Sequence, residues 1–140
     1  MMPTVEDICI KDIKYVFIDD TVNVAIGTMI KYDLRSVFVK SHTKDEGLDF
    51  FIVTMDDIIR FKIDNIDLDT KLSELSLQKV KTIDGKISIL EMLNEENLDK
   101  SYMAVVNNNQ LKGVISQTDI LNSIDPEVLI KKQSIEKLIV

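Results

Sequence analysis

Two pairs of side chains in this sequence repeat the same chemistry at the same spacing. A hydroxyl residue is followed three positions later by an aspartate, first at Thr54 and Asp57 and again at Ser116 and Asp119. A hydroxyl and a carboxylate at this spacing can form the reciprocal hydrogen bonds that begin a helix. The carboxylate can also form charge-assisted hydrogen bonds with hydroxyl groups of a ligand. Both roles stay open at this stage, because a capping carboxylate can also face a cleft.

The residue types that usually carry catalysis or bind metals form no recognisable arrangement here. Adjacent acids occur at Asp19-Asp20 and Asp56-Asp57, but neighbouring side chains point in different directions, and helix capping accounts for one member of each pair. His42 is the only histidine and lies in a charged stretch without partners at metal-ligand spacing. The four dispersed glycines do not form a phosphate-binding loop. The sequence therefore predicts no enzyme activity, no metal site and no required cofactor.

Charge and cysteine content limit the compartment and the partners. The formal net charge is -7, and an acidic surface repels nucleic-acid phosphates and anionic lipids. No stretch approaches the roughly 20 consecutive apolar residues of a membrane span, and the first residues lack the pattern of a secretory signal. The single cysteine, Cys9, cannot form an internal disulfide, which is typical of a reducing compartment. We therefore expect a cytoplasmic protein without nucleic-acid binding or direct membrane insertion.

The elements that must position the two hydroxyl–aspartate pairs also occur twice. Thr54 and Ser116 lie 62 positions apart, as do Asp57 and Asp119. In each copy the pattern predicts a short helix, a strand, a longer helix, two strands and a final helix. An internal duplication explains both the spacing and the shared order of elements.

Local patterns predict the individual elements. The longer helix of the first copy has apolar residues at Val22, Ala25, Ile26, Met29 and Ile30, a spacing that indicates one buried face, with Asp20 or Thr21 as its cap. In the second copy Asp84-Gly85 precedes a helix with Ile87, Leu90 and Leu93 on the buried face. Residues 36–40 and 102–106 indicate buried strands, and the polar turn Asn107–Gln110 predicts a hairpin with residues 111–116.

The repeat also predicts the domain organisation. One copy of roughly 60 residues would be marginally stable alone, so the two sheets are expected to pack on each other. We predict an α/β protein of the α+β type, with two β-α-β-β-α repeats related by a pseudo-twofold axis. Residues 1–64 form the first repeat, residues 65–124 the second, and residues 125–140 a C-terminal helix. That helix either links to a further domain, contacts a partner, or packs on its own sheet.

The order of these motifs resembles the tandem CBS domain, also called the Bateman module, over roughly residues 3–124. The motifs that carry the resemblance are Val5–Ile8, Asp20–Val22, Arg35–Val39, Ile52–Ile58, Leu72–Leu75, Met103–Asn107 and Gly113–Ile120. The resemblance implies a regulatory module that senses an adenosine-type ligand, such as AMP, ATP or S-adenosylmethionine, in the cleft between the repeats. It also implies that the module signals to an attached or partner domain.

The resemblance further implies which residues hold the ligand. In that family the Thr/Ser-x-x-Asp motif at a strand–helix junction binds a ribose, a preceding glycine leaves room for the ligand, and basic residues hold phosphates. The predicted ligand-binding residues are Thr54, Asp57, Ser116, Asp119, Gly113 and Arg35. Phe51 replaces the glycine in the first copy. Because few positive charges precede the second strand of each copy, a neutral or cationic adenosine derivative or a monophosphate is favoured over a triphosphate.

Two further implications concern partners. Modules of this family pair through their helical faces, which predicts a homodimer, and they regulate an attached enzyme, channel or signalling domain. A cyclic-dinucleotide enzyme is one such effector, and this chain does not contain it. The alternative is a structural dimerisation or docking module that binds no small molecule. Phe51 and the sparse basic residues favour this alternative, whereas Gly113 with Ser116 and Asp119 favours the sensor.

Overall fold

The computed structural model describes residues 3–41, 49–93 and 102–123. The predicted C-terminal helix over 125–140 and His42 lie outside the described residues.

The first repeat has the predicted order of elements. They are α1 (Val5–Ile8), β1 (Tyr15–Phe17), α2 (Val22–Lys31), β2 (Ser36–Lys40), β3 (Phe50–Thr54) and α3 (Met55–Ile63). Thr21 caps α2, since its side chain accepts a hydrogen bond from the Val24 amide. Val22, Ala25 and Met29 are buried as expected, but Ile30 is 75% exposed. The buried face is therefore narrower than predicted.

The second repeat follows the same order with one addition. Its elements are a 3₁₀ turn (Leu72–Glu74), β4 (Gln78–Lys79), β5 (Thr82–Asp84), α4 (Ile89–Leu93), β6 (Met103–Asn107), β7 (Gln110–Ile115) and α5 (Gln117–Ser123). The predicted hairpin of β6 and β7 is confirmed, and Asn108 and Asn109 have φ of 52° and 60° at its turn. Asparagine is one of the residues that tolerates this left-handed conformation.

The prediction for α4 was wrong in its cap and at one position of its buried face, since Ile87 and Leu93 pack against the core as expected but Leu90 does not. The side chain of Ser88, not Asp84-Gly85, caps the helix by accepting from the Glu91 amide at 3.2 Å. Asp84 instead holds a turn, since its carboxylate accepts from the Lys86 amide at 2.9 Å. Because the helix begins later than expected, Ile89 and Met92 point into the core and Leu90 is 39% exposed.

The strands form two mixed sheets. One has the order β1-β2-β3-β4 and the other has the order β5-β6-β7. In both sheets the first pair is parallel and the hairpin that follows is antiparallel. This correspondence confirms the predicted fold class of two related repeats.

The opening segment of each repeat packs on the other repeat. The Val5 amide donates to the Ile87 carbonyl at 2.9 Å, and the Leu72 amide donates to the Asp20 carbonyl at 2.8 Å. Val5 is fully buried in the core of the second sheet, and Leu72 is fully buried in the core of the first. Neither core is complete without a residue from the other repeat.

This exchange of segments, in which part of each repeat packs on the sheet of the other, also extends both sheets at their edges. β4 pairs with β3 through Phe51 opposite Lys79, although β4 belongs to the second repeat by sequence. In the other sheet, Ile10 forms an antiparallel bridge with Val114, with N–O distances of 2.8 and 3.0 Å. Each repeat thus adds a backbone segment to the edge of the other repeat's sheet, as a pseudo-twofold arrangement requires.

A third apolar cluster lies between the sheets and joins them. Phe50 and Ile52 from β3 are buried against Ala104 from β6. The rings of Phe38 and Tyr102 meet edge to face, with centroids 5.5 Å apart. The two repeats therefore pack on each other through this shared apolar cluster.

No helix within residues 3–41, 49–93 and 102–123 is both long and apolar enough to cross a bilayer.

Candidate functional site

The Thr54–Asp57 pair forms a complete capping box at the start of α3. Asp57 Oδ2 accepts from the Thr54 amide at 2.9 Å and from the Thr54 hydroxyl at 3.1 Å. The Asp57 amide in turn donates to the Thr54 hydroxyl oxygen at 3.2 Å. The remaining oxygen, Oδ1, accepts from the Arg60 guanidinium at 3.2 Å. Both carboxylate oxygens of Asp57 are thus engaged within the chain.

The Ser116–Asp119 pair repeats this capping geometry at the start of α5. Asp119 Oδ2 accepts from the Ser116 amide and from the Ser116 hydroxyl, both at 2.9 Å. The Asp119 amide donates to the Ser116 hydroxyl oxygen at 3.3 Å. In contrast to Asp57, Asp119 Oδ1 has no hydrogen-bond partner among the described residues. One oxygen therefore holds the helix start while the other can accept from a ligand.

A third pair with the same geometry, at Thr4 and Asp7, was not predicted from the sequence. The Thr4 amide donates to Asp7 Oδ2 at 2.9 Å, and the Asp7 amide donates to the Thr4 hydroxyl oxygen at 3.3 Å. The hydrogen bond from the Thr4 backbone lowers the pKa of Asp7, because it stabilises the carboxylate. The Thr-x-x-Asp spacing at residues 4 to 7 was the signal that could have revealed it. This pair shows that the same motif also caps a helix of only four residues.

The Arg35 backbone lies beside the first pair. Ser36 at the start of β2 is opposite Thr54 at the end of β3, and the Met55 amide donates to the Arg35 carbonyl at 2.9 Å. The Arg35 side chain is exposed and forms no ion pair with the described residues. The structure thus places the Arg35 backbone next to the Thr54–Asp57 junction, while Gly113 lies on β7, Ser116 directly follows it and Asp119 lies on α5 of the second repeat.

Gly113 has a structural role that the sequence analysis did not foresee. A Cβ built on it would lie 2.3 Å from the Ile10 carbonyl oxygen and 2.7 Å from Cys9 Sγ. The chain itself therefore fills the space in front of this glycine, and a ligand cannot approach β7 from that side. The corresponding Phe51 is partly buried against the core of the first sheet and faces Lys79 on β4. At both positions the strand contacts a segment that belongs to the other repeat.

Cys9 is buried next to this contact. Its thiol donates to the Glu6 carbonyl at 3.2 Å, and burial raises the pKa of the thiol because the thiolate would lose its hydration. A neutral, buried thiol of this kind acts as a small apolar residue.

A cleft between the repeats contains residues that the sequence analysis did not select. Its volume is about 350 Å³, and it is lined by the segment before β1, by Lys40 and by the turn of the second hairpin. Three of the lining residues are lysines, namely Lys11, Lys40 and Lys112. No local sequence pattern connects these three positions, since the topology alone brings them together.

A second, apolar groove of about 330 Å³ lies between α2 and α3 on the helical face of the first repeat. It is lined by Met29, Leu34 and Ile58, among others. Ile30 and Ile63 on the same two helices are exposed by 75% and 72%. Among residues 3–41, 49–93 and 102–123, no three histidine, cysteine or acidic side chains are grouped so that they could hold a metal ion.

Comparison with known families identifies this arrangement. The CBS domain model matches the chain twice, over residues 5–64 and 72–126. The chain belongs to the CBS domain family. Paired CBS domains are in general regulatory, non-catalytic modules, and this chain contains such a pair. A search of the curated proteins finds no significant match.

Solved structures of CBS-domain proteins share the fold. Hypoxic Response Protein I, determined with two coordinated zinc ions, is 25% identical with a TM-score of 0.66, and the match covers 87% of this chain and 99% of that one. An acetoin utilization protein (AcuB) from Vibrio cholerae is 19% identical with a TM-score of 0.66, covering 98% and 97%. A hexameric CBS-CP12 protein from bloom-forming cyanobacteria is 20% identical with a TM-score of 0.64, covering 89% and 74%.

Proposed function

We propose that this CBS-domain pair is a non-catalytic regulatory module that senses an adenosine-type ligand in the cleft between its repeats. The observation that carries the proposal is the geometry of Asp119. Its Oδ2 atom caps α5, while Oδ1 has no partner among the described residues. A half-buried carboxylate with one open oxygen can accept a strong hydrogen bond from a ribose hydroxyl. The second repeat is therefore the preferred ligand site.

The first repeat offers a weaker site of the same kind. Asp57 Oδ1 already binds Arg60, whose side chain is 67% exposed. An exposed ion pair contributes about 0–1 kcal/mol, so a ligand can displace Arg60 at small cost. We propose that Thr54, Asp57 and Arg35 form a secondary site with lower affinity.

Ligand binding would act by shifting the population of the arrangements of the two repeats. Each core contains a residue from the other repeat, so any change in the packing of the repeats affects both cores. A ligand stabilises one arrangement only by its differential affinity for it. The signal would pass to an attached or partner effector, of which a cyclic-dinucleotide enzyme is one candidate class.

We further propose that the module is a cytoplasmic homodimer that pairs through its helical faces. The apolar groove between α2 and α3 and the exposed side chains of Ile30 and Ile63 support this. Contiguous apolar surface of this kind is typical of an interaction site.

A thermal-shift screen against adenosine, AMP, ADP, ATP, S-adenosylmethionine and NAD tests the sensor. A ligand at 100 times its dissociation constant adds about 2.7 kcal/mol to the free energy of unfolding. We expect the shift to disappear in Asp119→Asn, which keeps an acceptor for the Ser116 amide but removes the charge. Asp67→Asn is the matched control, because the Asp67 carboxylate also accepts from a backbone amide, that of Asp69 at 2.9 Å, and the adjoining Leu68 carbonyl bonds to α2 of the first repeat.

Two results would contradict the sensor. If no compound in the screen shifts the melting temperature, the structural docking module becomes the better description. If a ligand binds equally well to Asp119→Asn, the second-repeat pair is not its site.

A further inference from the structure

We propose that the cleft lined by Lys11, Lys40 and Lys112 binds a chain of two or more phosphate groups. The proposal deepens the proposed function, since it assigns the anionic part of the ligand to a site separate from the hydroxyl–aspartate pairs. It also reverses the expectation that the ligand carries at most one phosphate. That expectation considered only the residues before the second strand of each copy.

The walls of the cleft come from both repeats. Lys11 and Ile13 lie in the segment that leaves the edge of the second sheet at Ile10 and enters the first sheet at β1. Lys40 ends β2 of the first repeat, and Lys112 lies on β7 of the second. The three ammonium groups are brought to one cleft because the opening segment crosses from one repeat to the other.

The charge of the cleft is opposite to that of the chain. The whole chain has a net charge of -7, yet among the eight described residues that line the cleft three are lysines and none is acidic. Positive charge in a cleft focuses the local potential and attracts anions. A group with three or four negative charges matches three lysines better than a monophosphate does.

The lysines are available to a ligand. Lys11 and Lys40 form no ion pair with the described residues, and Lys112 Nζ donates to a neutral partner, Gln110 Oε1, at 3.2 Å. By contrast, the nearby Lys14 is paired with Asp12 at 3.2 Å and does not line the cleft. Binding an anion would therefore break no ion pair among these residues.

The cleft also has room and an aromatic wall. Its volume of about 350 Å³ lies within the range of small-ligand sites. Tyr15 is 43% exposed at its edge, and Lys40 Nζ lies 5.7 Å from the centre of the Tyr15 ring. An anion held here would contact both repeats and so stabilise their mutual arrangement.

Isothermal titration calorimetry with inorganic tripolyphosphate at low salt tests the site directly. We expect binding by the wild-type chain, and a loss of about tenfold in affinity for each of Lys40→Gln and Lys112→Gln, since a charged hydrogen bond typically contributes that much. Lys86→Gln removes the same charge at an exposed position outside the cleft and should bind as the wild type does. The affinity should fall as ionic strength rises.

The proposal is overturned if tripolyphosphate does not bind, or if the cleft variants bind as tightly as Lys86→Gln. Comparing the affinities of ATP, adenosine and tripolyphosphate shows whether the cleft binds the phosphate chain of a nucleotide or a free polyphosphate. Binding of tripolyphosphate without any nucleoside would uphold the lysine cleft and reject the adenosine sensor. Binding of adenosine and ATP with equal affinity, unchanged in the lysine variants, would reject the cleft and leave the sensor intact.

Discussion

Replacing Gly113 with alanine is expected to destabilise the protein severely by separating the opening segment from the second sheet. The added Cβ would lie 2.3 Å from the Ile10 carbonyl oxygen, a backbone atom that cannot move away alone. Gly113 does not have a left-handed φ, so alanine fails for lack of space and not because of its conformation.

The magnitude follows from the contacts that must shift. The bridge between Ile10 and Val114 comprises two backbone hydrogen bonds, of 2.8 and 3.0 Å. Each contributes about 0.5–1.5 kcal/mol, and overpacking of a close contact costs about 1–3 kcal/mol. The expected loss is therefore roughly 2–6 kcal/mol, a large share of the stability of a typical domain.

Equilibrium urea unfolding of Gly113→Ala and Gly27→Ala provides a matched test. Gly27 lies in α2, and beyond its own helical backbone no described atom lies within 4 Å of the position that an added Cβ would take. Alanine there should stabilise the helix by about 0.5–1 kcal/mol. The same glycine-to-alanine change should thus have opposite signs at the two positions.

Hydrogen exchange adds a local readout to this test. The Ile10 amide should lose its protection only in Gly113→Ala, because its hydrogen bond to the Val114 carbonyl depends on the close approach at Gly113. If Gly113→Ala unfolds within about 1 kcal/mol of the wild type and keeps that protection, the proposed packing of the opening segment is wrong.

Three further predictions concern the exchange, the helical face and the thiol. Val5→Ala should destabilise the protein by about 2 kcal/mol in urea unfolding, since this fully buried side chain completes the core of the second repeat; a loss under about 0.5 kcal/mol would contradict the exchange. Ile30→Glu should shift the sedimentation coefficient from dimer to monomer with little change in stability, because Ile30 is 75% exposed; an unchanged coefficient would exclude this face from the interface. Because burial raises the pKa of Cys9, its contribution to stability is complete below the ordinary thiol pKa of about 8.5 and is lost as the pH rises above it. The wild type should therefore lose more stability than Cys9→Ala in urea unfolding between about pH 8 and 10, and equal losses would refute burial of the thiol.

The sequence by itself determined the order of elements and the repeat. The spacing of Thr54 and Ser116 predicted two related units, and short-range patterns predicted the β6–β7 hairpin and limited the cap of α2 to Asp20 or Thr21, of which Thr21 is the cap. These features depend on residues close in the chain, so local propensity and periodicity suffice to predict them. The capping function of both hydroxyl–aspartate pairs was likewise open to prediction from their spacing.

The tertiary structure alone decided which residues share a site. The Ile10 carbonyl leaves no room for a side chain at Gly113, which is more than a hundred positions away in sequence. In the same way, Lys112 lies in one cleft with Lys11 and Lys40. Only the exchange of opening segments between the repeats creates these neighbours, and no periodicity in the chain encodes it. The distinction between Asp57 and Asp119 is local by contrast, since Arg60 lies three residues after Asp57 on α3 and Asn122 occupies the corresponding position in the second repeat. Local patterns determine elements, whereas contacts between distant segments determine the chemistry that those elements can perform.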